Sequence, residues 1–277
     1  MFKIFESPFV TKLLCVVCCA SLVVSLVAAG FGACAAFDAP TIALANAFSD
    51  DDTSPFTKDE LVASALQVKH YTINDNDKAA AYACMLAINQ QLKFAGNADA
   101  KAPKLDDYFD MGASELDDAT LSKVDAVLAK ADERYVLTPD AMSHLDDVYR
   151  VVSAAKPWLL FAVVASGVCC MAIACRAGKR CLGGVLMVAG GVVLAAFLAC
   201  GVAIAVDFEG FFQLFHSLFF AAGTWEFSYD SLLICMYPEN FWMGMGAIWL
   251  VVTLVCCILC LIFGKLLRRT SVAQLNV

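Results

Sequence analysis

The chain has 277 residues, of which 61% are hydrophobic and 17% charged, and its 27 acidic against 19 basic side chains leave a net charge of −8. A soluble domain is only about 45–50% apolar, so an ordinary soluble globular protein is excluded. The acidic balance argues against nucleic acid as a partner.

Residues 1–37 read as a short basic N-terminus and a first membrane span, since 13–37 carry no charge and only Ser21 and Ser25 as hydroxyls. Ala45-Asn46-Ala47 has the small residues of a signal-peptidase site, and Phe31-Gly32-Ala33-Cys34 faintly resembles a lipoprotein cleavage box. The apolar run exceeds the roughly 7–15 residues of a signal core, which favours a retained helix. Three further stretches, 157–175, 181–206 and 241–264, are also charge-free. Each reaches the about 20 apolar residues that cross a ~30 Å hydrocarbon core. The expected fold is an all-α membrane protein with four transmembrane helices.

Residues 38–156 hold 21 acidic and 11 basic side chains and read as an acidic, mostly helical domain. Residues 49–56 form a polar linker, and residues 57–70 and 75–95 have helical apolar spacing, with Gly96 as a stop. Residues 97–113 read as loop. Ser114 and Asp117 suggest a capping box for a helix reaching about residue 131. Thr138-Pro139 suggests an N-cap followed by proline at the first helical position. Pro157 predicts a break after Lys156, which would let this helix turn over the bilayer surface.

Orientation follows from charge. Lys3 and Lys12 at the N-terminus, the turn 176–180 with Arg176, Lys179 and Arg180, and the tail 265–277 with Lys265, Arg268 and Arg269 hold all eight Lys and Arg residues outside 38–156. The positive-inside rule then puts both termini and the turn in the cytoplasm, with 38–156 and 207–240 on the extracytoplasmic side. Of fourteen cysteines, twelve lie in or at the ends of spans, where a thiol acts as a small apolar side chain. Cys84 and Cys235 lie outside them, where a disulfide is conceivable and two buried thiols the plainer reading.

Two stretches hold candidate chemistry. In Ser143-His144-Leu145-Asp146-Asp147, His144 and Asp147 are three apart and share a helical face, so the carboxylate could orient the imidazole. The plainer alternative is a surface histidine among solvated acids. In 207–240, Glu209, Gln213 and His216 fall at i, i+4 and i+7, a polar stripe on a helix otherwise covered by Phe208, Phe211, Phe215, Leu218 and Phe219. That pattern fits an interfacial or re-entrant helix between spans 3 and 4. Trp225, Tyr229, Tyr237 and Trp242 fit an aromatic belt. Ionisable residues at membrane depth are functional candidates by default; the alternative for His216 is a headgroup anchor.

The pattern HLDDV before the second span, followed by FHSLFF, Trp225, Asp230, Leu232-Leu233-Ile234, Pro238 and Phe241-Trp242, resembles the bacterial lipoprotein intramolecular transacylases. The resemblance covers about 138–264 and the placement of the first span, leaving 40–135 as an added or divergent domain. It implies a multi-pass enzyme of the bacterial cytoplasmic membrane that acts on diacylglyceryl-modified lipoproteins amid membrane lipids. One ester-linked acyl chain moves to the α-amine of the N-terminal cysteine, giving the lyso form. The family's two key histidines map onto His144 and His216, with roles undivided, and Asp147, Glu209 and Gln213 are supporting candidates. No cofactor and no metal are implied. Alternatives are a serine-dependent hydrolase using Ser143 or Ser217, a zinc hydrolase using His144, Asp147 and His216, and a non-catalytic assembly or transport accessory.

Overall fold

The computed structural model describes the backbone of residues 7–273 and side chains through 269. Among the described residues the fold is entirely helical. The chain divides into two compact units: residues 1–36, 154–211 and 247–277 form one, and residues 37–153 and 212–246 the other.

The first unit holds the apolar length of four long helices: α1 (Pro8–Ala35), α6 (Pro139–Arg176), α7 (Gly178–Val206) and α10 (Glu239–Ala273). Ser7 caps α1, its side chain accepting from the Phe9 amide, with Pro8 in the first turn. Their outward faces stay apolar, with Trp158 72% and Met171 66% exposed, as lipid contact requires. Inside the unit, glycine permits close approach. A Cβ on Gly183 would lie 2.5 Å from the Gly264 carbonyl, and one on Gly30 would strike Trp249 and Thr253. Gly190 faces the Cys257 carbonyl in the same way, whereas Gly184 and Gly191 meet nothing, so of the two glycine pairs spaced seven apart, 183/190 and 184/191, only the first is used for packing. Trp249 Nε1 donates to the Val27 carbonyl at 3.0 Å, and Ser25 meets Ser166 at 3.3 Å.

The predicted break at Pro157 does not occur: α6 runs unbroken through it for 38 residues. A proline removes one amide donor, and the rest of so long a ladder holds the helix together. The Thr138 cap is present, with its hydroxyl accepting from the Ala141 amide at 3.3 Å.

The second unit has a conventional core. Helices α2 (Ala39–Phe48), α3 (Lys58–His70), α4 (Lys78–Phe94) and α5 (Asp118–Leu128) surround Phe56, Tyr71, Tyr82, Leu86 and Tyr135. Thr57 and Glu60 form a reciprocal capping box on α3, and Asp77 caps α4. Two details depart from the sequence reading. Residues 71–75 form a π-turn closed by Asn76 in the left-handed region, and α5 is capped by Asp117 alone, Ser114 lying in a separate 3₁₀ turn. Buried tyrosines reach carboxylates: Tyr82 donates to Asp125 at 2.5 Å and Tyr71 to Asp146. All fourteen cysteines are free thiols, Cys84 and Cys235 among them.

Candidate active site

Two segments of the second unit carry the candidate histidines, and hydrogen bonds to backbone carbonyls tie the segments together. Asn89 Nδ2 donates to the Tyr135 carbonyl at 2.8 Å, and the Leu232 amide to the Glu133 carbonyl at 2.8 Å. The same short stretch before α6 therefore anchors α9 (Leu232–Met236), which ends the loop that follows His216. Ser49 adds a bond to the Met236 carbonyl at 2.9 Å, and the Asp50 amide one to the Cys235 carbonyl. Tyr237 closes the anchor: it is buried and donates to the Ala65 carbonyl. It is a core residue and not the belt residue its sequence position suggested.

His216 ends the aromatic helix α8 (Phe208–Ser217). The chain then reverses: the Phe219 and Phe220 amides bond the His216 carbonyl, and a turn at 221–224 places Gly223 at φ +80°. Glycine suits that position because a side chain there is strained. The reversal brings Phe220 and Trp225 back against His216, with Trp225 4.9 Å away between ring centroids. Trp225 thus joins the site instead of an aromatic belt, while Tyr229 and Trp242 stay exposed.

His144 and His216 lie 72 positions apart in sequence, yet their ring centroids are 6.4 Å apart. His144 is 9% exposed and packs edge-on against Phe220 at 4.9 Å, with Phe227 at 5.8 Å. His216 is half-buried and stacks on Phe212 at 3.9 Å. Its Nδ1 faces the Phe212 carbonyl at 2.8 Å. A carbonyl oxygen only accepts, so Nδ1 carries the proton and Nε2 keeps the lone pair. Burial lowers the pKa of both rings; that of His144 falls to about 4, with the charge of His216 pushing the same way and Asp147 opposing. Both imidazoles are neutral at pH 7.

Two buried nitrogens in this aromatic cluster have no protein partner: His144 Nδ1 and Trp225 Nε1. The Asp147 carboxylate pairs with Arg150 at 2.7 Å and gives His144 no hydrogen bond at Nδ1. The neighbouring acid is the structural one, since Asp146 accepts from Tyr71 and, at 3.2 Å, from Asn76. Gln213 and Glu209 are exposed on α8. Ser217 spends its hydroxyl proton on the Leu214 carbonyl at 2.7 Å, and Ser143 is exposed. Among the described residues no three His, Cys, Asp or Glu side chains are grouped to hold a metal ion. His70, the third histidine, pairs with Asp38 at 3.1 Å.

The sequence pattern missed Phe220, Phe227 and Trp225 as walls of the site. Phe220 and Trp225 fall within the family-like pattern but carry no role there, and the density of aromatics after His216 reads equally well as a membrane belt.

The family described as "Lipoprotein intramolecular transacylase Lit" matches residues 62–242. The match takes in most of the segment 40–135, which sequence resemblance had left outside the family. Three chains of solved structure match. One is an in meso structure of the membrane-integral lipoprotein intramolecular transacylase of Bacillus cereus, 17% identical, with a TM-score of 0.67 over 96% of this chain and 99% of that one. Two more are the same Bacillus cereus protein with a single histidine substituted, each 17% identical with a TM-score of 0.62. These likenesses establish the fold: a membrane-integral, all-helical protein. No curated protein matches.

Proposed function

Since the chain belongs to the lipoprotein intramolecular transacylase family, we propose that it acylates the N-terminal cysteine amine of diacylglyceryl-modified lipoproteins through His144 and His216. The observation that carries this reading is the pair of neutral imidazoles, His144 buried and His216 half-buried, 6.4 Å apart in an aromatic enclosure. The α-amine nitrogen attacks the ester carbonyl carbon, and an N–C bond forms as the bond to the glyceryl oxygen breaks. The amine loses one proton and the glyceryl oxygen gains one, so the reaction balances without any co-substrate. His216 takes that proton at Nε2, where the tautomer set by Phe212 leaves a lone pair. The protonated ring then returns it to the departing oxygen. Neutral His144 holds the reacting groups by hydrogen bond. Amine and ester belong to one molecule, so positioning supplies much of the rate. The products are an N-acyl cysteine and a monoacylglyceryl thioether.

The charge asymmetry supports placing the termini and the 176–180 turn in the cytoplasm, with the histidines on the extracytoplasmic side of a bacterial cell membrane. The exposed Leu214, Phe215, Leu218 and Phe219 around α8 suit acyl chains and lipid as neighbours. The test is mass spectrometry of a reporter lipoprotein's N-terminal peptide, made in a host lacking N-acylation. With the wild-type protein the expected peptide is N-acylated and lyso; with His216→Ala it keeps its free amine. An unchanged diacylglyceryl peptide despite confirmed wild-type expression would defeat the reading.

A further inference from the structure

The structure assigns Trp225 to the reaction as the donor that stabilises the developing oxyanion, an inference that rests on the transacylation reading above. Its indole Nε1–H is buried and has no protein partner, although indole N–H groups ordinarily find one when buried. Leaving such a donor unmatched carries its full desolvation penalty, so the fold tolerates it where a ligand completes it. The ring is held by stacking at 4.9 Å on His216 and edge-on against Phe212 at 6.3 Å. The turn at Gly223 fixes the direction from which it enters.

Acyl transfer from an ester to an amine needs two polar partners at the reacting carbon: an acceptor for the amine's N–H and a donor for the carbonyl oxygen as it becomes an alkoxide. The acceptor is His216 Nε2, on the ring that Trp225 stacks against, and the cluster's other buried nitrogen without a partner, His144 Nδ1, belongs to a ring 6.4 Å from that of His216. Trp225 Nε1–H supplies the donor, in a cluster whose other walls, Phe212, Phe220 and Phe227, offer no side-chain donor. As the carbonyl carbon becomes tetrahedral, its oxygen gains negative charge in a low-dielectric enclosure where one hydrogen bond is worth most. When the glyceryl oxygen leaves, the charge returns to the carbonyl and the bond relaxes. Trp225 neither gains nor loses a proton.

The test uses the full-length protein in lipid vesicles with a synthetic diacylglyceryl lipopeptide bearing an N-terminal cysteine. Trp225→Phe removes the donor and shrinks the ring. Trp225→3-benzothienylalanine keeps the bicyclic shape and replaces N–H by sulfur, so packing is preserved. Trp158→Phe, on an exposed face of α6, is the control expected to match wild type. Removing a single oxyanion donor costs on the order of 10²–10³ in kcat. That loss is expected for both Trp225 variants, with KM within about twofold and an unchanged thermal midpoint for the benzothienyl protein. A benzothienyl variant that keeps the wild-type kcat, or loses only in KM, overturns the assignment. A wild type that leaves the amine unacylated instead overturns the transacylation reading, and the two failures are distinct.

Discussion

The two units solve opposite problems with the same helix. In the span unit the surface is apolar and the interior gains by close approach: Gly183 against Gly264, Gly190 against Cys257, Gly30 against Trp249 and Thr253. In the other unit, apolar side chains go inward and polar groups are paired even in the core, as in Tyr82 with Asp125 and Asn89 with Tyr135. Without a hydrophobic drive between helices in lipid, backbone proximity does the holding. With a conventional core, polar atoms can be buried so long as they are matched. The histidine pair lies wholly in the second unit, whose buried side-chain atoms without a protein partner, among the described residues, are Thr41 Oγ1 and the two nitrogens of the aromatic cluster, His144 Nδ1 and Trp225 Nε1.

Substitutions sharpen that contrast, beginning with the largest effect. His144→Ala and His216→Ala each remove a ring from the aromatic enclosure and are expected to lower the acylation rate by at least ~10²-fold, the lower end for a lost acid–base group. The mass shift of the lipoprotein peptide reads it. Gly30→Val forces a branched side chain onto Trp249 and Thr253, and overpacking of this kind costs about 1–3 kcal/mol. Thermal unfolding in detergent should register the loss. Tyr82→Phe, in the other unit, deletes one bond to Asp125 and should cost about 1 kcal/mol. Asp147→Asn should change the rate by less than ~3-fold, because this carboxylate engages Arg150 and a surface pair contributes little.

Acidity gives one more handle. The folded pKa of His144, about 4, lies below its unfolded value near 6.5. Between those values the unfolded chain binds more protons than the folded one. Stability is therefore full above pH 6.5 and falls as pH drops toward 4. A thermal midpoint followed from pH 7 to 4 should decline, and His144→Phe should flatten part of that decline. A steeper fall in the His144→Phe protein would contradict the assignment.

The spans were legible because a charge-free run of about 20 residues has few other uses. Pro157 misled: proline lowers helix propensity locally, and the flanking ladder outweighed it. In the second unit the caps Thr57, Asp77 and Thr138 mark helix starts by local chemistry. The pairing of His144 with His216 had no local signature, since it depends on α9 being tied back to the stretch before α6. Spacing on the helix suggested Asp147 as the orienting acid, because i,i+3 neighbours share a face. Arg150 is such a neighbour too, and it takes the carboxylate. Composition alone makes Trp225 suit a belt, because it does not reveal the turn at Gly223 that sets this ring against His216.

In the proposed reaction His144 and His216 act as one unit. The direct measurement is the rate of lipopeptide N-acylation by His144→Ala, His216→Ala and the double variant, each checked for folding. Groups acting together are strongly non-additive. The expected double variant is no slower than the slower single variant, within about threefold. A double variant whose loss equals the product of the two single losses would show independent residues and contradict it.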